Sequence, residues 1–110
     1  MKDQAVILED RLVDFAVRVI HVVEALPDTK AGKHIAGQLV RSGTSPALNY
    51  GEAQSAESQR DFIHKMKGAL KELRESRINM RILQKARLMP PQKSFVHDEC
   101  LELIRIFKKS

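Results

Sequence analysis

Residues 38–58 have the sequence QLVRSGTSPALNYGEAQSAES, and this stretch decides the fold of the chain. It resembles the interior of a helix, yet small and polar residues crowd it and a proline lies in its middle. A helix built only for burial carries Leu or Ile on its inner positions. Here those positions are held by Ser42, Gly43, Ser45, Asn49 and Glu52. The segment therefore predicts close helix–helix approach together with a polar network.

Pro46 raises the question of whether this helix is continuous. A proline inside a helix costs roughly 3 kcal/mol, because it removes one hydrogen bond and clashes with the carbonyl four residues earlier. One interpretation is a kinked helix in which the Ser42 or Thr44 hydroxyl helps to satisfy the freed groups. The other is a break, with Ser45 as the cap and Pro46 at the first position of a new helix. The apolar face stays in phase across Pro46, which favours the kink.

Apolar residues at helical spacing on either side of this segment predict four helices in all. Their expected bounds are residues 3–26, 30–57, 59–87 and 92–108. Prolines separate the first helix from the second and the third from the fourth. Ser58 is the expected cap of the third helix, with Asp61 completing an imperfect capping box. Ser94 is an alternative start for the fourth helix.

One face of each helix is expected to line a common core. The predicted inward residues are Leu8, Leu12, Phe15, Val19, Val22 and Leu26, then Ile35, Leu39, Gly43, Pro46, Tyr50 and Ala53, then Phe62, Met66, Ala69, Leu70, Leu73, Met80 and Leu83, and finally Val96, Cys100, Leu103 and Phe107. Short connections place sequential helices antiparallel. The sequence thus predicts an all-α, antiparallel up-down-up-down four-helix bundle over residues 1–110, one domain, with its second helix kinked near Pro46.

Composition limits the class of protein. The chain of 110 residues is 43% hydrophobic and 30% charged, as expected of a folded globular domain. The acidic N-terminal stretch does not resemble a signal peptide, and no apolar run approaches the roughly 18 residues of a membrane span. The single cysteine, Cys100, suits a reducing compartment. We therefore expect a cytoplasmic protein with no membrane partner.

Positive charge is concentrated in the third helix. Residues 58–88 carry nine basic and three acidic side chains, whereas residues 1–27 carry three basic and five acidic ones. At roughly 100° per residue, six of the basic residues share one flank of that helix. This basic stripe comprises Arg60, Lys67, Lys71, Arg74, Arg81 and Lys85. It suits the phosphate backbone of RNA or DNA, with weak sequence specificity because no aromatic residue interleaves with it. A solvated helix face chosen for solubility is the alternative.

The first helix has a second apolar edge, nearly opposite its core face. This apolar edge comprises Val6, Val13, Val17 and Ile20. Single exposed apolar residues are normal, but an aligned set indicates a partner surface. We therefore expect the chain to associate with itself.

The polar network expected around the second helix comprises Arg41, Ser42, Ser45, Asn49, Glu52 and Glu75. We expect Arg41 to pair with Glu52 or Glu75, within or between subunits. A buried network of this kind fixes helix register. The alternative is a pocket for a ligand or nucleic acid.

Nothing in the sequence predicts an enzyme. The four histidines fall on four different predicted helices, without the spacing of metal ligands. His97 and Cys100 are three residues apart, but a lone cysteine on an apolar face is more often a core residue. A glycine-rich phosphate loop is absent. We expect no catalytic residues, metal or cofactor.

The segments QLVRSGTSPALNYGEAQSAES and DFIHKMKGALKELRESRINMRIL resemble the four-helix-bundle family whose founding members are encoded in intervening sequences of bacterial 23S ribosomal RNA genes. The matching positions are Arg41, Ser42, Ser45, Asn49 and Glu52 in the second helix and Asp61, Phe62, Lys71, Glu72 and Glu75 in the third. The resemblance implies the four-helix fold and a ring-like homo-oligomer, a pentamer, in a bacterial protein. It does not imply an enzyme.

A relative of that family, the accessory variability determinant of diversity-generating retroelements, binds nucleic acid and a reverse transcriptase. The resemblance thus adds a nucleic-acid enzyme to the expected partners. Two functions remain open on the sequence: an oligomer that binds nucleic acid through the basic stripe, and an interaction or structural oligomer whose charge only keeps it in solution.

Overall fold

The computed structural model describes residues 3–109. Over that range it contains four α-helices and no strand, which confirms the predicted all-α class. The helices are α1 (Gln4–Glu24), α2 (Lys30–Gln54), α3 (Gln59–Lys85) and α4 (Phe95–Lys108), with a 3-10 helix at Pro91–Lys93 before α4. None of these helices combines the length and apolar character that crossing a membrane requires.

Side-chain caps begin three of the helices. The carboxylate of Asp3 accepts a hydrogen bond from the Val6 amide at 2.9 Å, and the Thr29 hydroxyl accepts one from the Gly32 amide at 3.0 Å. Ser58 caps α3 as predicted, accepting from the Asp61 amide at 3.0 Å. Each oxygen satisfies an amide that has no carbonyl partner in the first turn.

The fourth helix begins later than the bound of residue 92, because the chain first forms the 3-10 helix at Pro91–Lys93. Ser94 occupies the cap position of α4, but its side chain makes no capping hydrogen bond. Proline at the start of the 3-10 helix supplies its fixed φ angle and has no amide to satisfy.

A left-handed residue ends α3 at Lys85, two residues before the predicted bound. Arg87 has a φ of 58°. The amide of Leu88 donates to the Leu83 carbonyl at 2.9 Å, and the amide of Arg87 donates to the Gln84 carbonyl at 3.1 Å. This pair of bonds is the Schellman motif, in which glycine is the usual left-handed residue.

Helix α2 runs continuously through Pro46, so the break at Ser45 is wrong. Hydroxyl groups in this turn bond back to the preceding turn: Thr44 donates to the Val40 carbonyl and Ser45 to the Arg41 carbonyl, each at 2.7 Å. Neither acceptor is the Ser42 carbonyl, the group that Pro46 leaves without its helical donor. The expected relief of that group by Ser42 or Thr44 is therefore wrong as well.

The predicted core is largely confirmed. Fully buried side chains come from every helix: Leu12, Phe15, Val19 and Val22 of α1, Leu39 of α2, Ala69, Leu73, Met80 and Leu83 of α3, and Val96, Cys100 and Leu103 of α4. Phe62 is the exception at 37% exposed, because it lies in the first turn of α3 rather than within its length. Two polar residues of α3 that the pattern missed, Ser76 and Asn79, are buried.

Each helix packs on its neighbour in sequence, and α1 also contacts α4. Helices α1 and α2 approach closely at Gly43, where an added Cβ would lie 2.6 Å from a methyl carbon of Val19. Between α2 and α3, a Cβ on Gly68 would lie 3.4 Å from the Asn49 amide nitrogen. Glycine therefore permits the close approach that the sequence predicts in α2.

Candidate nucleic-acid interface

All six side chains of the basic stripe are exposed on α3. None of the six forms an ion pair with any residue between 3 and 109, although basic residues elsewhere, such as Arg11 and Lys33, do. The helix presents them at steps of three, four and seven residues, which are the spacings of one helical flank. From Arg60 to Lys85 the flank extends roughly 37 Å at 1.5 Å per residue.

Exposed isoleucines lie among these cations. Ile63, Ile78 and Ile82 are 43%, 44% and 46% exposed on the same helix. At 100° per residue, Ile78 falls at the centre of the stripe and the other two at its margins. The sequence pattern identified the charges but not these apolar contacts, so the face is amphipathic rather than purely cationic.

The acidic residues of α3 that could neutralise the stripe face α2 instead. Arg41 of α2 donates to Glu72 and to Glu75, each at a shortest distance of 2.9 Å. The hydrogen bond to Glu75 is the first cause of a raised pKa at Arg41, followed by the nearby charge of Glu72. One guanidinium thus holds two carboxylates on the inner flank of α3, and the outer flank stays basic.

Of the two partners expected for Arg41, Glu75 is confirmed within the chain, and Glu52 pairs with a different residue. Its carboxylate accepts from Lys65 of α3 at 2.9 Å instead. The reason is the rise of the helix: eleven residues separate Arg41 from Glu52, which is roughly 16 Å along α2. Each residue of α2 therefore meets the part of α3 that lies beside it.

The buried part of the polar network is a pair of serines. Ser76 donates to the Ser42 hydroxyl oxygen at 2.9 Å, and Ser42 donates to the Leu39 carbonyl at 3.4 Å. Ser76 was missed, although a serine between Leu73 and Met80 on the apolar face of α3 was a visible signal.

The remaining members of the predicted network do not join this pair. Ser45 bonds only to the backbone of its own helix. Asn49 lies against Gly68, and its side chain forms no hydrogen bond within residues 3–109. Glu52 is half exposed, with 57% of its side chain accessible. The structure thus divides the predicted network into separate contacts along the α2–α3 interface.

A groove of about 860 Å³ opens beside the basic stripe, between α2 and α3. Its wall contains Gln38, Arg41, Lys67, Leu70, Lys71, Arg74, Glu75, Ile78 and Asn79. Its size is within the range of small-molecule sites. Three residues of the basic stripe therefore line a concave surface rather than a convex one.

The apolar edge of α1 is exposed in the single chain. Val6, Val13, Val17 and Ile20 are between 40% and 48% exposed. Their spacing aligns them along one side of the helix, away from the buried core residues Leu12 and Phe15.

Cys100 and His97 do not form a nucleophile and base pair. The Cys100 thiol donates to the Leu73 carbonyl at 3.2 Å, and burial raises its pKa to about 12. Burial also lowers the pKa of His97, whose Nε2 is buried without a hydrogen-bond partner in the described residues. A thiol that stays protonated at neutral pH is a weak nucleophile. Residues 3–109 contain no cluster of three or more His, Cys, Asp or Glu placed to hold a metal ion.

Comparisons with known proteins agree on one family. The family model for the 23S rRNA-intervening sequence protein matches residues 6–109. A solved structure with a TM-score of 0.88 is a protein of unknown function from the S23 ribosomal protein family of Bacteroides thetaiotaomicron. It is 27% identical, and the alignment covers 97% of this chain and 96% of that one. No curated protein matches the chain.

Proposed function

Because the chain belongs to the 23S rRNA-intervening sequence protein family, we propose that it is a non-enzymatic homo-oligomer that binds nucleic acid through the basic stripe of α3. The observation that carries this proposal is the set of six exposed cations without an ion-pair partner in residues 3–109. Each contact to a phosphate releases condensed counterions, so a row of unpaired cations favours a nucleic-acid backbone. The expected location is the cytoplasm.

The proposed architecture is the antiparallel bundle. Contacts between α1 and α2 pair Val19 with Gly43 and Glu9 with Gly51, so residue numbers rise along one helix as they fall along the other. The α2–α3 contacts follow the same order, with Ser42 against Ser76 and Glu52 against Lys65. In this arrangement α3 packs between α2 and α4, and its stripe is on the outer side. A kink at Pro46 is part of this proposal.

The α1 edge supports self-association. Four exposed aliphatic side chains in line form a surface that a second copy of the chain can cover. The proposal is a ring, most simply the pentamer that the family resemblance implies. A ring repeats the α3 stripe once per subunit and so multiplies weak phosphate contacts. A nucleic-acid enzyme is a further proposed partner.

Reversing three charges in the centre of the stripe tests the nucleic-acid function. We expect Lys67→Glu, Lys71→Glu and Arg74→Glu together to abolish binding of RNA and DNA in fluorescence anisotropy. The parent should bind unrelated sequences with similar affinity, and binding should weaken steeply as salt rises from about 50 to 200 mM.

The matched control reverses three charges outside α3, with Lys30→Glu, Lys93→Glu and Lys109→Glu. It therefore changes the net charge of the chain by the same amount. This control should keep most of the affinity, and both triple variants should melt cooperatively, because five of the six altered side chains are exposed and that of Lys93 is half-buried. Absence of binding by the parent at low salt, to single-stranded and duplex probes alike, would leave only the alternative function, an interaction or structural oligomer favoured by the α1 edge.

A further inference from the structure

We propose that the groove between α2 and α3 binds a single nucleotide unit, and that Asn79 reads the edge of its base. This inference rests on the proposed function in one respect, since three residues of the basic stripe would hold the phosphate. It adds a site that recognises a base to a surface that, in the proposed function, binds the phosphate backbone of the nucleic acid.

Asn79 carries the argument because its side-chain amide has no hydrogen-bond partner in residues 3–109 and lies in the wall of the groove. Only 8% of the residue is exposed, and its side chain forms no hydrogen bond within residues 3–109. The amide is not fully enclosed, because Nε2 of His97 is the one fully buried side-chain nitrogen or oxygen without a partner in the described residues. It is therefore open to the groove, where a bound molecule can replace water as its hydrogen-bond partner.

The other groove residues define the chemistry of that molecule. Lys67, Lys71 and Arg74 are exposed cations on one side, which suits a phosphate. Leu70 and Ile78 offer apolar surface for the face of a base or a sugar. The one carboxylate of the wall, Glu75, is already bonded to Arg41 at 2.9 Å and so does not repel the phosphate as a free charge would. A nucleotide combines these features, because it joins an anionic phosphate to a flat, partly apolar ring.

The asparagine amide also indicates which base the proposed site would prefer. Its oxygen and nitrogen together match the N6 donor and N7 acceptor of adenine, the pairing that asparagine makes with adenine in nucleic-acid complexes. The site is therefore expected to prefer adenine over a purine that lacks N7. The source of the nucleotide is either a single strand or a free nucleotide, and both present the same group.

Single-stranded RNA of ten adenosines, its 7-deazaadenosine counterpart and AMP are the probes. The parent is expected to bind the adenosine strand about fivefold more tightly than the deaza strand or better, the effect of one good bidentate contact. Asn79→Leu should bind both strands equally and keep the salt-dependent part of the affinity. Since it breaks no internal hydrogen bond, it should melt at or above the parent's temperature. Asn79→Ala is a second variant for the case in which Leu does not fit.

Asn49→Ala is the matched control, because Asn49 is also an asparagine without a partner in residues 3–109 and lies outside the groove. It should retain the adenine preference. Equal binding of both strands by the parent, or a preference that survives in both Asn79 variants, overturns the inference and leaves the backbone-binding function intact.

AMP separates the two proposals. If the parent binds no strand, the proposed function fails, and titration of AMP against the parent and Asn79→Leu decides the inference alone. Binding of AMP that is lost in the variant, with inorganic phosphate bound equally by both, supports a free-nucleotide site. Absence of AMP binding in that case overturns the site.

Discussion

The contact between Ser42 and Ser76 shows how two small residues specify the pairing of α2 with α3. Both residues are fully buried, and the Ser76 hydroxyl reaches Ser42 only when the two helices are in this register, whereas Ser42 also donates to the Leu39 carbonyl of its own helix. A shift along the interface would leave the buried Ser76 hydroxyl without its partner, which is costly. The serines therefore select one alignment, in the manner of polar residues in an otherwise apolar interface.

Removing one hydroxyl of this pair should destabilise the fold. We expect Ser42→Ala to lower the free energy of unfolding by about 1–3 kcal/mol, since it leaves the Ser76 hydroxyl buried without an acceptor. The double variant with Ser76→Ala should cost less than the sum of the two single changes, because it no longer leaves the Ser76 hydroxyl without an acceptor. Urea denaturation of the three variants measures this. Strict additivity would show that the two hydroxyls act independently.

At the scale of the elements, glycine sets the distance between α1 and α2. The Val19 side chain occupies the space where a Cβ of Gly43 would be, at 2.6 Å from one methyl carbon and 2.8 Å from the other. A separation below 3.0 Å requires a shift of Val19 or of the helix axis. Gly37, in the same helix, has nothing within 4 Å of its Cβ position. The two glycines thus occupy opposite environments on one helix.

Substitution by alanine is expected to change the stability of the protein in opposite directions at these two glycines. Gly37→Ala should stabilise the protein by about 0.5–1 kcal/mol, because alanine favours the helix and meets no neighbour. Gly43→Ala should destabilise it by about 1–3 kcal/mol through overpacking. Thermal melts of both variants test the pair, and Val19→Ala in the Gly43→Ala background should recover part of the loss. Equal stabilisation by the two changes would show that α1 moves freely away from α2.

At the scale of the whole molecule, charge and apolar surface are separated between helices. The outer flank of α3 is basic because its carboxylates Glu72 and Glu75 bond to Arg41 on the inner side. The outer side of α1 carries the apolar edge within a segment that has more acidic than basic residues. The proposed function assigns the basic stripe to nucleic acid and the apolar edge to a further copy of the chain.

Light scattering tests whether the chain associates with itself through the apolar edge of α1. We expect the purified protein at micromolar concentration to have about five times the 12.5 kDa mass of the chain. Val13→Asp with Val17→Asp should return the mass toward one chain, because charges replace the centre of the apolar edge. Leu48→Asp, at a residue that is 67% exposed on α2, is the control and should leave the mass unchanged. A parent mass of 12.5 kDa would contradict self-association.

Helix positions and the core face follow from the sequence alone, because a 3.6-residue period, a cap and a proline act over a few residues. Ser58 caps α3 through the amide three residues on, and Leu12, Phe15 and Val19 face inward by spacing. The exposed flank that carries the basic stripe can also be predicted from residue spacing within one helix. These features need no knowledge of how the helices are arranged.

Contacts between helices were decided only by the tertiary structure. Arg41 and Glu72 are 31 residues apart in sequence, and several carboxylates were equally available to Arg41 until α2 packed on α3. The same packing pairs Glu52 with Lys65, places Ser42 within hydrogen-bond distance of Ser76, and sets Asn79 in the wall of a groove. The physical reason is that side-chain spacing gives the face of a helix but not its displacement along a neighbour. That displacement is set by the summed packing of both surfaces.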